Sequence, residues 1–178
     1  MNKKLTKDDL IQLGNLFEKQ HFDELNERLD GFLKLGDNAI LLNLKGATLI
    51  AQEKFFDAEK VLDHLVDKFD NFIDGEINLA NVYHKTNRSD IALIKLKELL
   101  LIDHLNIDTE QTLNNNIGMI YNELSEYDEA LKYLSKAHDL NSNDISTLKS
   151  LGAVYRGKKK YQESINYYEK IINLLEND

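Results

Sequence analysis

The sequence predicts an all-α chain of about ten antiparallel helices folded as five helical hairpins, and three observations predict it. A small residue is followed three positions later by a large one at five places: Gly14 with Phe17, Gly46 with Leu49, Ala80 with Tyr83, Gly118 with Tyr121, and Gly152 with Tyr155. The small residues recur at intervals of 32, 34, 38 and 34, a period near 34. Within each period, apolar residues spaced by three and four lie on both sides of a short polar turn, the pattern of two amphipathic helices folded back on each other.

The first unit, residues 7–36, carries Gly14 and Phe17, then Phe22, Leu25, Leu29 and Phe32 after a shortened turn. The second, 37–71, sets Gly46 and Leu49 before Phe55, Ala58, Leu62 and Leu65. In the third, 72–106, Ala80 and Tyr83 precede Ala92, Leu96 and Leu99, with Ser89 where the other units have an aromatic residue. The fourth, 109–142, runs Gly118, Tyr121, Tyr127, Ala130, Leu134 and Ala137; the fifth, 143–176, runs Gly152, Tyr155, Tyr161, Ser164, Tyr168 and Ile171. A small residue in the first helix lets the second approach closely, and small Ala58, Ala92 or Ala130 is expected to meet it there.

Composition bounds the function. With 178 residues, 42% hydrophobic and 30% charged, the chain is sized for one globular domain or one compact array. Zero Cys removes thiolate nucleophiles, disulfides and cysteine metal clusters. A formal charge of -9, from 22 Lys+Arg against 31 Asp+Glu, repels phosphate backbones and anionic lipid, so neither nucleic acid nor membrane is expected as a partner. Met1 to Leu10 lacks the apolar core of a secretory signal, and no stretch approaches the roughly 20 apolar residues that cross a bilayer. The expected location is the cytoplasm.

The five histidines (His21, His64, His84, His104, His138) fall at scattered repeat phases, and no HExxH, phosphate loop or nucleophile elbow is present. The chain is expected to be non-catalytic and to need no cofactor or metal.

The repeat resembles the tetratricopeptide repeat, whose motif runs W-x2-L-G-x2-Y, then A-x3-F, then a late Pro. Ile117-Gly118, Tyr121, Tyr127, Ala130, Leu134 and Ala137 carry the resemblance best, followed by Leu151-Gly152, Tyr155, Tyr161 and Tyr168. Two departures stand out: Asp70, His104, Ser142 and Glu176 replace the late Pro, and four extra residues lie around His104 to Thr109, where a local change of pitch is expected. The resemblance implies a single right-handed α-α superhelix, a tetratricopeptide solenoid over residues 1–178. It also implies that the first helices line a concave groove that binds extended peptides or partner helices.

On that groove face the third unit places Ile77, Asn78, Asn81 and His84; the fourth Asn115, Asn116, Met119 and Asn122; the fifth Lys149 and Arg156; the second Asn43. An Asn side chain donates and accepts together, so it can pair with both polar groups of an extended backbone. The Asn78 and Asn116 pair resembles the asparagine ladder in the tetratricopeptide arm of O-linked N-acetylglucosamine transferases. The alternative is a solvated helix face that happens to use Asn. Ile11, Leu44 and Asp74 stand where the family's carboxylate clamp requires other residues, which argues against that mode.

Two further roles stay open. Ile165, Tyr168, Ile172 and Leu175 form an apolar stripe on the last helix, an edge that either self-associates as a two-fold dimer or stays exposed. The array is otherwise a scaffold or adaptor for a protein or peptide partner, or a substrate-holding accessory to a separately encoded transferase.

Overall fold

The computed structural model describes residues 5–176, and among them the chain forms ten α-helices and no strand. In order these are α1 (Lys7–Glu18), α2 (Phe22–Leu33), α3 (Ala39–Ala51), α4 (Phe55–Lys68), α5 (Ile73–Lys85), α6 (Ser89–Leu99), α7 (Ile107–Glu123), α8 (Tyr127–Leu140), α9 (Ile145–Gly157) and α10 (Tyr161–Glu176). The chain divides into two compact units, one ending at Arg88 and the other beginning at Ser89. The division falls in the turn of the third predicted hairpin.

In the first unit α1 packs on α2, and α3 packs on α2, α4 and α5. Leu13, Leu25, Leu29 and Leu41 make one buried cluster; Leu42, Leu49, Ala58, Leu62, Leu65, Leu79 and Val82 make a second. In the second unit α7 packs on α6, α8 and α9, and α9 on α10. Its interior includes Leu113, Ile117, Ala130, Leu134, Leu148 and Val154, all fully buried.

The small residue of each first helix is a notch, and the structure corrects what fills it. A Cβ on Gly46 would lie 2.5 Å from the Leu62 side chain, and one on Gly118 would lie 2.5 Å from that of Leu134. At Gly152 the ring of Tyr168 stands 3.0 Å away. The knob is therefore the large residue one helical turn after the small one, because that side chain projects back along its helix into the notch. The nearest atom of Ala130 is its backbone oxygen, 3.2 Å from a Cβ at Gly118 and farther than the Leu134 side chain. Gly14 has nothing within 4 Å, so the first hairpin does not need it for packing.

Each first helix ends in the same way. Gln20, Glu53, Asn87, Ser125 and Lys159 have φ between 57° and 63°, and the residue after each donates its backbone N–H to a carbonyl five positions back, as in His21 to Leu16 and Lys160 to Tyr155. This is a Schellman stop built without glycine. At the opposite ends Thr6, Asn38, Asn106 and Asp144 cap first helices through their side chains, Thr6 in a reciprocal box with Asp9. Phe72, at the corresponding place before α5, makes no side-chain cap.

The four extra residues before the fourth unit become helix. The first helix α7 has 17 residues against 13 in α3, α5 and α9. Four residues are close to the 3.6 of one turn, so the added turn leaves the packing face in phase. It also supplies the Glu110 carbonyl, to which the buried Asn114 amide donates at 2.9 Å.

Candidate functional site

The candidate face is carried by first helices: α3 and α5 in the first unit, α7 and α9 in the second. In the first unit, Asn78 Nδ2 donates to Asn43 Oδ1 at 2.8 Å, so two expected groove residues bridge neighbouring first helices. Both are half-buried. Ile77 is only 5% exposed and belongs to the interior, a correction to its expected place on the surface. With its side chain held against the core, it is not available to a docking helix. Asn81 is half-buried, and its side chain makes no hydrogen bond among the described residues. His84 is half-buried and engaged with a neighbour.

In the second unit, α7 and α9 are joined in a similar way. Asn115 Nδ2 donates to Ser146 Oγ at 3.1 Å, and Gln111 Nε2 reaches Thr147 Oγ1 at 3.4 Å. Asn115 is 6% exposed, and its Oδ1 is buried with no hydrogen-bond partner. A buried amide oxygen left unpaired costs about 1 to 3 kcal/mol, which a donor from a ligand or water would recover. Asn116 and Asn122 are half-buried and make no side-chain hydrogen bond among the described residues. Met119, 39% exposed, receives a long 3.6 Å contact at its sulfur from Asn115.

Lys149 and Arg156 are exposed on α9 with no ion pair among the described residues. Several other cations of this unit are engaged: Lys158 with Asp128, Lys132 with Glu129, Lys160 with Glu163, and Lys97 with the Tyr121 hydroxyl. Lys149 and Arg156 are seven residues apart, two turns, or about 10 Å along one helix face.

On α10, Ile165, Ile172 and Leu175 are exposed by 46%, 53% and 61%. Tyr168 is not part of that exposed stripe, because its ring fills the notch at Gly152. The described residues include no group of His, Asp or Glu side chains arranged to hold a metal. No helix among them is long and apolar enough to cross a membrane.

Sequence reasoning named the residues of this candidate face but missed the bonds between them. The Asn43–Asn78 and Asn115–Ser146 links join residues 35 and 31 positions apart, close to the repeat period, and that spacing was the available signal.

The tetratricopeptide repeat family model matches residues 108–177. No curated protein sequence matches the chain. Among solved structures, a thermophilic tetratricopeptide protein of Thermus thermophilus is similar with a TM-score of 0.82 at 18% identity, covering 92% of this chain and 88% of that one. MamA is similar at 0.65 and 19% identity, covering 98% of both chains. YrrB, described as having an unusual peptide-binding site, is similar at 0.56 and 16% identity over 90% of this chain and 81% of its own. At such identities these neighbours establish the fold.

Proposed function

We propose that this chain, whose residues 108–177 match the tetratricopeptide repeat model and whose fold is that of a tetratricopeptide solenoid, is a non-catalytic cytoplasmic scaffold whose first-helix faces bind an extended, acidic peptide segment of a partner protein. The observation that carries this reading is the pair of unengaged cations Lys149 and Arg156, on a helix of a chain whose net charge is -9. In an extended polyproline-II segment, with three residues per turn, carboxylates three residues apart share one face at about 9 Å, close to the two-turn separation of the cations. Asn116 and Asn122 on α7 supply free amides for the peptide backbone, and the unpaired Asn115 Oδ1 supplies an acceptor. In the first unit Asn43 and Asn78 are bonded to each other and Asn81 is unbonded among the described residues; the two unengaged cations favour the second unit as the seat of recognition.

The test is fluorescence anisotropy with a labelled extended peptide bearing Glu at two positions three apart, against its Gln counterpart. The Glu peptide binds more tightly, and Lys149→Ala with Arg156→Ala weakens it at least tenfold while helicity is kept. Equal binding of the two peptides, or an unchanged affinity in the double variant, overturns the reading.

A second reading is favoured by the exposed Ile165, Ile172 and Leu175, which fit a self-association edge. Under it, molecular mass rises with concentration and Ile172→Asp abolishes the rise. A mass that stays monomeric at all concentrations removes this reading.

A further inference from the structure

Two consecutive hairpins of the second unit carry equivalent sets of five side chains, four of them identical, and only one set holds a lysine between its rings; beside the other, the His138 ring packs edge-on against Tyr167 with centroids 6.4 Å apart. Tyr121, Glu129, Lys132, Tyr133 and Lys136 in α7 and α8 recur 34 positions later as Tyr155, Glu163, Asn166, Tyr167 and Lys170 in α9 and α10. The rings pair alike: Tyr121 and Tyr133 stack with centroids 5.8 Å apart, and Tyr155 and Tyr167 with centroids 5.5 Å apart.

On the first pair sits Lys97, reaching across from α6. Its Nζ donates to the Tyr121 hydroxyl at 2.6 Å and lies 5.1 Å and 5.9 Å from the two ring centroids, within cation–π range. The hydrogen bond to Tyr121, together with the nearby charge of Glu129, holds the Lys97 ammonium above its usual range, so the seat favours a cation.

The second pair lacks this lysine. Lys97 follows Leu96 in α6 as Ser135 follows Leu134 in α8, both leucines being fully buried, so Ser135 holds the register position of Lys97. Its short, exposed side chain has no reach. What remains is a cavity of about 350 Å³ lined by Tyr155, Glu163, Asn166, Tyr167 and Lys170. The Tyr155 hydroxyl, counterpart of the acceptor that Lys97 uses, makes no hydrogen bond among the described residues.

The geometry points to this cavity as a seat for the lysine side chain of a partner protein, taken up as Lys97 is taken up one repeat earlier, with Tyr155 accepting a hydrogen bond from the ammonium and Glu163, which also stands 3.8 Å from Lys160 in an exposed pair, supplying the countercharge. Lys170 does not block it: its Nζ donates to the Ser142 carbonyl at 2.6 Å. The occupied seat tolerates more cations, since Lys132 and Lys136 both stand 5.6 Å from the Tyr133 centroid beside the bound Lys97. Asn166 in place of Lys132 lowers the repulsion further. Burial, and then the neighbouring Tyr155, push the Tyr167 phenol up, which keeps that ring a neutral face. The seat shares no residue with the proposed acidic-peptide face and does not depend on it.

The test titrates n-butylammonium chloride against the whole chain at fixed ionic strength, with sodium chloride as the matched control, and follows tyrosine ring signals by NMR. Saturable shifts at Tyr155 and Tyr167 are expected, with Tyr121 and Tyr133 still. Ser135→Lys restores the missing lysine in cis, so it raises the Tm by a few degrees and abolishes the shifts. Lys97→Ser vacates the first seat and transfers the response to Tyr121 and Tyr133 as well. Glu163→Gln, on the exposed side of the cavity, weakens binding without altering the melt. A Gly-Lys-Gly peptide blocked at both ends reproduces the shifts. Unmoved Tyr155 and Tyr167 rings, or shifts that persist in Ser135→Lys, overturn the seat. Shifts from the free amine and none from the peptide overturn the partner lysine as its occupant.

Discussion

At Gly118 one methyl group decides whether two helices fit. A Cβ there would sit 2.5 Å from Leu134 Cγ, inside a fully buried contact, whereas at Gly14 it would meet nothing within 4 Å. Gly118→Ala gains about 1 kcal/mol of helix propensity but forces overpacking that costs about 1 to 3 kcal/mol, so the net change is destabilising. Gly14→Ala keeps the gain. Thermal melts therefore move in opposite directions for the two variants, and a rise in Tm for both contradicts the notch. The second residue-scale contact is a fork: Arg88 Nη1 and Nη2 donate to the two Glu59 carboxylate oxygens at 2.8 Å and 2.6 Å. The Arg88 guanidinium holds the Glu59 carboxyl below the usual range. A depressed carboxylate stabilises the fold above its unfolded value and loses that contribution as pH falls through the folded one. Glu59→Gln is thus less stable than wild type near neutrality, by about 1 kcal/mol, and the gap closes on acidification. A gap that stays constant to about pH 3 overturns the assignment.

Each first helix stops on a residue with positive φ, and the five such residues are Gln, Glu, Asn, Ser and Lys. An L side chain in this conformation costs about 1 kcal/mol, less for Asn. Replacing Glu53 or Lys159 by Gly relieves that strain and stabilises the protein by about 0.5 kcal/mol each, whereas Asn87→Gly gains less. Urea denaturation reads the difference, and a loss of stability in Glu53→Gly contradicts the argument. These stops were not legible in the sequence, because the usual signal, a glycine, is absent. The hairpins themselves were legible from Gly46, Gly118 and Gly152 with their partners three positions on. Which side chain fills each notch was not, because Ala58 and Leu62 lie on the same helix face one turn apart, and only backbone direction selects Leu62.

Across the chain, contacts run between neighbours: α3 with α4 and α5, α7 with α8 and α9, and α9 with α10. Stability in such an array is nearly a sum of local terms. Ile117→Ala, at a fully buried position of the second unit, costs about 2 to 5 kcal/mol. Amide hydrogen exchange then loses protection over residues 89–176 before residues 5–88. Uniform loss over both ranges shows that the two units unfold together.

The sequence alone determined the helices, their pairing into hairpins and the period near 34, because each depends on side chains a few residues apart on one helix face. It also set the net negative charge of the chain. The tertiary structure decided which of the candidate residues remain free. Asn78 is bonded to Asn43, Ile77 is buried, Tyr168 fills the notch at Gly152, and Lys149 and Arg156 stand unpaired. It also decided that Lys97 occupies one tyrosine pair while the next pair has an open cavity beside it. These outcomes rest on side chains that meet from different helices, where the distance between them is set by how closely those helices pack and not by the period that repeats along the chain.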